Sequence, residues 1–185
     1  MLVAISGSQG SGKSSCVKSL SDMGFNVIER KTSRSILTDW NVTLHEVNNN
    51  QELTIRFQKE ILDRKYQDEQ IAINSPDVYF TERTYGDLFT YNLLSLGGCN
   101  KYNEFVDEYY EQCMKYQQYY DKVFYLKAGH FIPEDDGVRG INVHYSRLVD
   151  VAMLDITTQM TKPGYLNIID TPCLKQRLAI ISNQI

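Results

Sequence analysis

The sequence has no apolar run long enough to cross a bilayer, no basic segment ahead of its apolar start and no cleavage-site pattern. A membrane-spanning or exported chain is therefore not expected, and the cytoplasm is the expected location. Cysteine is sparse. Cys16, Cys99, Cys113 and Cys173 are scattered, form no C-x-x-C pair and have no nearby histidine, which argues against a disulfide or zinc framework. His45, His130 and His144 show no metal-ligand spacing either. Positive charge is not in excess: the net charge of −4 argues against strong nonspecific binding to nucleic acid through phosphate neutralisation. A local basic cluster at Arg30, Lys31 and Arg34 still leaves a short DNA contact open. There are no repeats and no low-complexity tracts. With 185 residues, 42% hydrophobic and 23% charged, residues 1–185 are expected to form one domain with a proper core. Tyrosine alone is abundant, at 13; such rings can stack on bases, but most are expected half-buried on helix faces.

What is present begins at the amino terminus. Leu2-Val3-Ala4-Ile5-Ser6 reads as a buried strand, and Gly7-Ser8-Gln9-Gly10-Ser11-Gly12-Lys13-Ser14 follows it. This is G-x-x-x-x-G-K-[ST] between a strand and a helix, the context that a phosphate-binding loop requires. Glycines let the backbone curl into a nest of N–H donors, and the helix start adds its positive dipole end. Gly7 through Ser15 are the expected nucleotide-binding residues. Lys13 is expected to reach the β- and γ-phosphates, and the Ser14 hydroxyl to ligate Mg²⁺.

Strands and helices alternate along the rest of the chain. Helices are expected at 13–23, 51–70 (Leu53, Phe57 and Ile61 recur every four residues), 85–96, 103–119 and 145–160, with a short one at the end. Strands are expected at 25–28, 78–81, 123–126 and 165–169. Asn48-Asn49-Asn50 reads as a loop able to cap the next helix. This order predicts an α/β, three-layer P-loop NTPase fold: a five-stranded parallel sheet, helices on both faces and a small lid at about 130–150. Right-handed crossovers put all strand C-terminal ends on one edge, where ligands bind. That edge receives the phosphate loop, Glu29, and the pair Glu82-Arg83.

Here the residues resemble a family. Glu82-Arg83-Thr84, with Asp87 behind it and Tyr91 along the helix, resembles the Glu-Arg-Ser segment of deoxyribonucleoside kinases and the Asp-Arg segment of thymidylate kinases. Glu29, ending strand two, resembles the catalytic carboxylate of the first group. The segment with Arg139 and Arg147 resembles the arginine-bearing lid of both, although the tight R-x-R-x-x-E signature is missing. Asp135-Asp136-Gly137-Val138-Arg139 also resembles the small ATPase-like kinases that include ribosylnicotinamide kinase domains. Compact kinases of this sort are common in DNA phages, some acting on hydroxymethyluracil already in DNA; a phage origin would make the location the host cytoplasm.

The resemblance implies transfer of the γ-phosphate of ATP, with Mg²⁺, to a hydroxyl of a deoxynucleoside or its monophosphate. A hydroxymethylated pyrimidine within DNA is the narrower alternative, and a homodimer is left open. Lys13, Arg139 and Arg147 would offset the charge of the transferring group, and Arg83 would do the same or clamp the acceptor. Glu29 would take the acceptor proton. Glu82 would join the Mg²⁺ shell, with Asp170, at the end of the last strand, as its competitor. Arg30 and Arg34 would grip an acceptor phosphate, and Phe57, Asp87, Tyr91 and Trp40 would line the acceptor pocket. The contrasting reading is an ATPase or GTPase switch that transfers nothing, but no switch threonine or D-x-x-G element stands in a credible position.

Overall fold

The computed structural model describes residues 1–29, 33–131 and 142–185. Five strands, β1 (Leu2–Ser6), β2 (Asn26–Val27), β3 (Tyr79–Glu82), β4 (Lys122–Leu126) and β5 (Leu166–Ile169), form one sheet in the order β2-β3-β1-β4-β5. Every pairing is parallel. Among the described residues the helices are α1 (Lys13–Asp22), α2 (Ser33–Trp40), α3 (Leu44–Asn49), α4 (Gln51–Ile73), α5 (Tyr85–Leu96), α6 (Asn103–Gln117), α7 (Val143–Met160) and α8 (Leu174–Ser182).

The middle strand shows why helices cover both faces. All five residues of β1 are buried. Val3 and Ile5 point into one apolar cluster with Cys16, Leu20 and Ile181 of α1 and α8. Leu2 and Ala4 point into the opposite one, with Phe57, Leu62, Tyr85 and Tyr109 of α4, α5 and α6. The period of two that separates the faces of a strand thus serves two cores. The β2 edge of the sheet is a weak template for further pairing, since β2 pairs over two residues only.

The expected α/β architecture, its five strands and its parallel pairing are all present. The region between β2 and α4 differs. It holds two helices, α2 and α3, of which α3 takes up part of the expected asparagine loop. Asn48 and Asn49 close α3, whereas Asn50 does cap α4, its side chain accepting from the Leu53 N–H. The expected lid divides: residues 143–150 are the first turns of α7, and 132–141, including Arg139, lie outside the described residues. No helix among the described residues is long and apolar enough to cross a membrane.

Candidate active site

Strand β1 lies where the connections switch from one side of the sheet to the other, between β3 and β4. A crevice opens at such a point, and the glycine-rich loop fills its floor. Gly7, Gly10 and Gly12 have φ of 138°, 75° and 83°, a backbone that side-chain-bearing residues rarely adopt. At Gly7 space is also limiting, since a Cβ there would collide with the Leu126 carbonyl oxygen of β4. Helix α1 starts from Gly12 with no side-chain cap and no acidic residue in its first turn. By contrast α3, α4, α5 and α7 are capped by Thr43, Asn50, Thr84 and Asn142. Helices α6 and α8 also start without a side-chain cap; what sets the α1 end apart is the glycine-rich loop that leads into it. Lys13 lies back along the loop, its Nζ donating to the Ser8 carbonyl at 2.7 Å and to Ser11 Oγ at 3.3 Å.

Two residues that sequence reasoning missed hold this loop. Asp150 of α7 accepts from Ser8 Oγ at 2.7 Å and from the Tyr125 hydroxyl at 2.9 Å. Arg177 of α8 is buried, donates to the carbonyls of Ser11 and Thr171, and lies over the Phe131 ring. Burial pulls the Arg177 pKa below the ordinary guanidinium value, with Cys16 opposing. Neither residue belongs to a local motif.

The tip of β3 stands beside the loop. Glu82 Oε1 accepts from Ser14 Oγ at 3.1 Å, so the two expected metal ligands face each other. Asp170, the competing carboxylate, is engaged elsewhere, with Lys127 at 2.7 Å and His130 at 2.8 Å. Those two contacts hold its pKa below the usual aspartate value. Arg83 follows with φ 70°, a left-handed conformation in a residue that is not glycine. Strain of this kind is of order 1–3 kcal/mol and is kept where the surroundings dictate it. The Arg83 N–H donates to the Ile5 carbonyl, and its guanidinium lies 5.2 Å from the Tyr91 ring centre. Burial works against the Arg83 charge, but Tyr91, Asp87 and Glu82 more than offset it, so its pKa stands above the ordinary value.

A cavity of about 490 Å³ opens next to this tip, between α2, α3 and α4 on one side and α5 and the start of α7 on the other. Gln9 of the loop and Arg83 reach its wall, together with Arg34, Phe57, Gln58 and Tyr91. Four expected acceptor residues, Arg34, Phe57, Arg83 and Tyr91, are therefore brought together. Gln58, buried on α4 beside Phe57, was missed; a glutamine next to a core phenylalanine gives no signal in a helical pattern.

Asp87, expected in the acceptor pocket, stands elsewhere. It does not line the cavity but is fully buried at the start of α5, where its Oδ1 accepts from Ser6 Oγ and Thr84 Oγ1. Thr84, not Asp87, caps the helix, and the second carboxylate oxygen, Oδ2, is buried without a hydrogen-bond partner among the described residues. Trp40 is likewise packing: it meets Phe57 edge-on and lies against Arg56. Glu29 is exposed just beyond Ile28, whose N–H still pairs with the Phe80 carbonyl of β3, and it is not part of the cavity wall. Arg147 is exposed on α7, and Arg30 lies outside the described residues.

Comparison with known proteins agrees with this geometry. A family described as an AAA domain matches residues 2–167. The chain belongs to this AAA-domain family. No curated protein matches this AAA domain by sequence. Among solved structures it resembles deoxyadenosine kinase from M. mycoides with bound dATP, with a TM-score of 0.72 at 16% identity, covering 100% of this chain and 98% of that one. It also resembles the NadR protein in complex with NR, with a TM-score of 0.72 at 14% identity, covering 98% of this chain and 48% of that one. The fold of this AAA domain is thus the one used by P-loop kinases of nucleosides.

Proposed function

We propose that this AAA domain is a kinase that transfers the γ-phosphoryl group of ATP to a hydroxyl of a nucleoside-type acceptor held in the 490 Å³ cavity. One observation carries the reading. Gln9, from the phosphate loop, and Arg83, from the β3 tip, share a wall with Phe57, Gln58 and Tyr91. A molecule in that cavity would lie against the end of a triphosphate resting on the loop, which is the arrangement transfer needs and hydrolysis does not.

The chemistry follows from the side chains. The loop amides and the α1 terminus bind phosphate oxygens, and Lys13 swings from the Ser8 carbonyl to the β- and γ-phosphates. Ser14 and Glu82 would hold Mg²⁺, which when bound offsets phosphate charge. Arg83, in a fixed backbone, spans the acceptor and the transferring group. Glu29, which leaves the sheet at the same edge but outside the cavity wall, would take the acceptor proton from a hydroxyl that extends beyond the wall to it. Arg147, on α7, belongs to the lid side. Phe57 stacks a base, and the Gln58 amide reads its hydrogen-bonding edge. Arg34 would grip a phosphate if the acceptor is a monophosphate.

A cavity of this size favours a free nucleoside or its monophosphate over a base still in duplex DNA. The test is labelled ATP with Mg²⁺ offered to deoxynucleosides, their monophosphates, ribosylnicotinamide and DNA containing hydroxymethyluracil. Transfer to a free nucleoside or monophosphate is expected. Transfer to DNA alone would move the acceptor outside the proposed class, and hydrolysis indifferent to every acceptor would make the protein an ATPase. Lys13→Ala is expected to lower transfer at least about a hundredfold while the chain stays folded, since the donor it removes acts on the developing charge. Undiminished transfer would take the loop out of the mechanism.

A further inference from the structure

Against the β3 tip, one turn along α4 from Ile61 of the cavity wall, lies a buried ion pair that the proposed mechanism does not use. Lys65 and Glu69, one turn apart on α4, are each 1% exposed, and Lys65 Nζ lies 2.5 Å from Glu69 Oε1. The same Nζ donates to Thr81 Oγ1 at 3.2 Å and reaches the Glu82 carbonyl at 3.5 Å. Glu69 accepts from the Tyr85 hydroxyl at 2.7 Å and from the Tyr120 hydroxyl at 3.1 Å. The ammonium lies 5.4 Å from the centre of the Tyr85 ring and 5.9 Å from that of Tyr120. Both charges are satisfied from several directions, as burial demands.

This network grips the chain on both sides of one short segment. Thr81 and the Glu82 carbonyl precede Arg83, and Tyr85 follows it by two residues. Between them Arg83 takes its left-handed conformation. A buried ion pair is a poor source of stability, since an apolar pair of similar volume packs a helix on a sheet equally well. What an apolar pair cannot do is hold a hydroxyl and a carbonyl of the strand end at fixed positions.

We infer that Lys65 and Glu69 are positioning residues that fix the Glu82–Arg83 turn through the Thr81 and Tyr85 hydroxyls on either side of it and the Glu82 carbonyl, and so aim the Glu82 carboxylate at Ser14 and the Arg83 guanidinium at the cavity. The inference rests on the kinase reading for its kinetic consequence, but not for its structural one.

Two measurements on a Lys65→Met/Glu69→Gln variant separate these. The variant removes both charges and leaves the tyrosine hydroxyls an acceptor. Amide hydrogen exchange is expected to quicken about tenfold or more over residues 81–86, with protection kept in β1 and β4. With the acceptor found in the substrate screen, kcat is expected to fall about tenfold to a hundredfold and the Mg²⁺ concentration for half-maximal rate to rise, with the KM for ATP little changed. A merely structural pair would lower the melting temperature and leave the Mg²⁺ dependence alone. Unchanged exchange over 81–86, or kcat and Mg²⁺ dependence both within about twofold of wild type, overturns the inference. If wild type transfers to no acceptor, the kinase reading fails and exchange alone decides this one. If the double variant does not fold, Thr81→Val decides in its place: faster exchange at the same segment supports the inference, and unaltered exchange refutes it.

Discussion

Gly7 and Gly12 bracket the phosphate loop, and both have positive φ, yet their surroundings differ in a way that can be measured. A Cβ on Gly7 meets backbone, the Leu126 carbonyl of the neighbouring strand, which cannot withdraw without breaking the sheet. A Cβ on Gly12 would stand 2.8 Å from Arg177 Nη1, the end of a side chain. Gly12→Ala should destabilise by about 1–3 kcal/mol, from conformational strain plus this clash. Arg177→Ala should also destabilise, since it removes the donor to the Ser11 and Thr171 carbonyls. The double variant should lose less than the sum of the two, by about 0.5 kcal/mol or more, because the second change removes the clash made by the first. Denaturant titrations of the four proteins check this; additive losses would mean that Arg177 yields to the methyl group freely. No side-chain truncation should rescue Gly7→Ala.

At the scale of elements, the weakest part of the proposed site is α3, six residues long, which supplies Leu44, Val47 and Asn48 to the cavity wall. So short a helix depends on its cap. Thr43 Oγ1 accepts from the Glu46 N–H at 3.2 Å, and Glu46 Oε2 accepts from the Thr43 N–H at 2.7 Å. The Thr43 N–H, and the Thr43 hydroxyl donating to the same Oε2 at 2.8 Å, hold the Glu46 pKa below the usual glutamate value. Thr43→Ala should cost about 1 kcal/mol, most of it local to α3. The KM for the acceptor should rise with the KM for ATP unchanged, because the phosphate loop lies on other elements. Steady-state kinetics with each substrate varied in turn checks it, and a rise in the KM for ATP alone would contradict the placement of the acceptor. The same helix shows what pattern reading misses. Helix α4 was legible because 23 residues repeat an apolar face several times. Neither α2, at eight residues, nor α3 completes enough turns to show a period. The T-x-x-E box of Thr43 and Glu46 was in plain sight, but its signal is easily overlooked between asparagines and polar residues.

For the whole molecule, legibility divides along sequence distance. The phosphate loop, the β3 tip and the sheet they share could be read because each is a contiguous stretch whose position in a parallel sheet follows from crossover handedness. Asp150 against Ser8, Arg177 against Ser11, and Lys65 against Thr81 could not, since each contact joins residues far apart with no spacing rule between them. The burial of Asp87 was not legible for the related reason that a buried carboxylate in a first helical turn and a cavity-lining one look alike in sequence. The buried polar groups so brought together have a collective consequence at high pH. Burial pushes the Cys16 thiol up to about 11, with Arg177 opposing, and raises Cys113, with Lys65 opposing. It also raises Tyr85, Tyr120 and Tyr125, each further raised by a nearby carboxylate. In the unfolded chain thiols lose their protons near about 8.5 and tyrosines near about 10. Above those values the unfolded state binds fewer protons than the folded one, so stability falls as pH rises. Below about pH 8 these groups are protonated in both states and their contribution is fully present. The urea midpoint should therefore be flat in these groups from pH 7 to 8 and decline steadily towards pH 11, in two overlapping stages, thiols first. A Cys16→Ala/Cys113→Ala variant, less stable at pH 7 for lack of the sulfur atoms, should lose the first stage and keep the second. Its deficit relative to wild type should consequently narrow between about pH 8.5 and 10. A deficit that stays constant over that range would show that the two thiols ionise in the native protein as readily as in the unfolded chain, and that the core around α1 and α6 admits water.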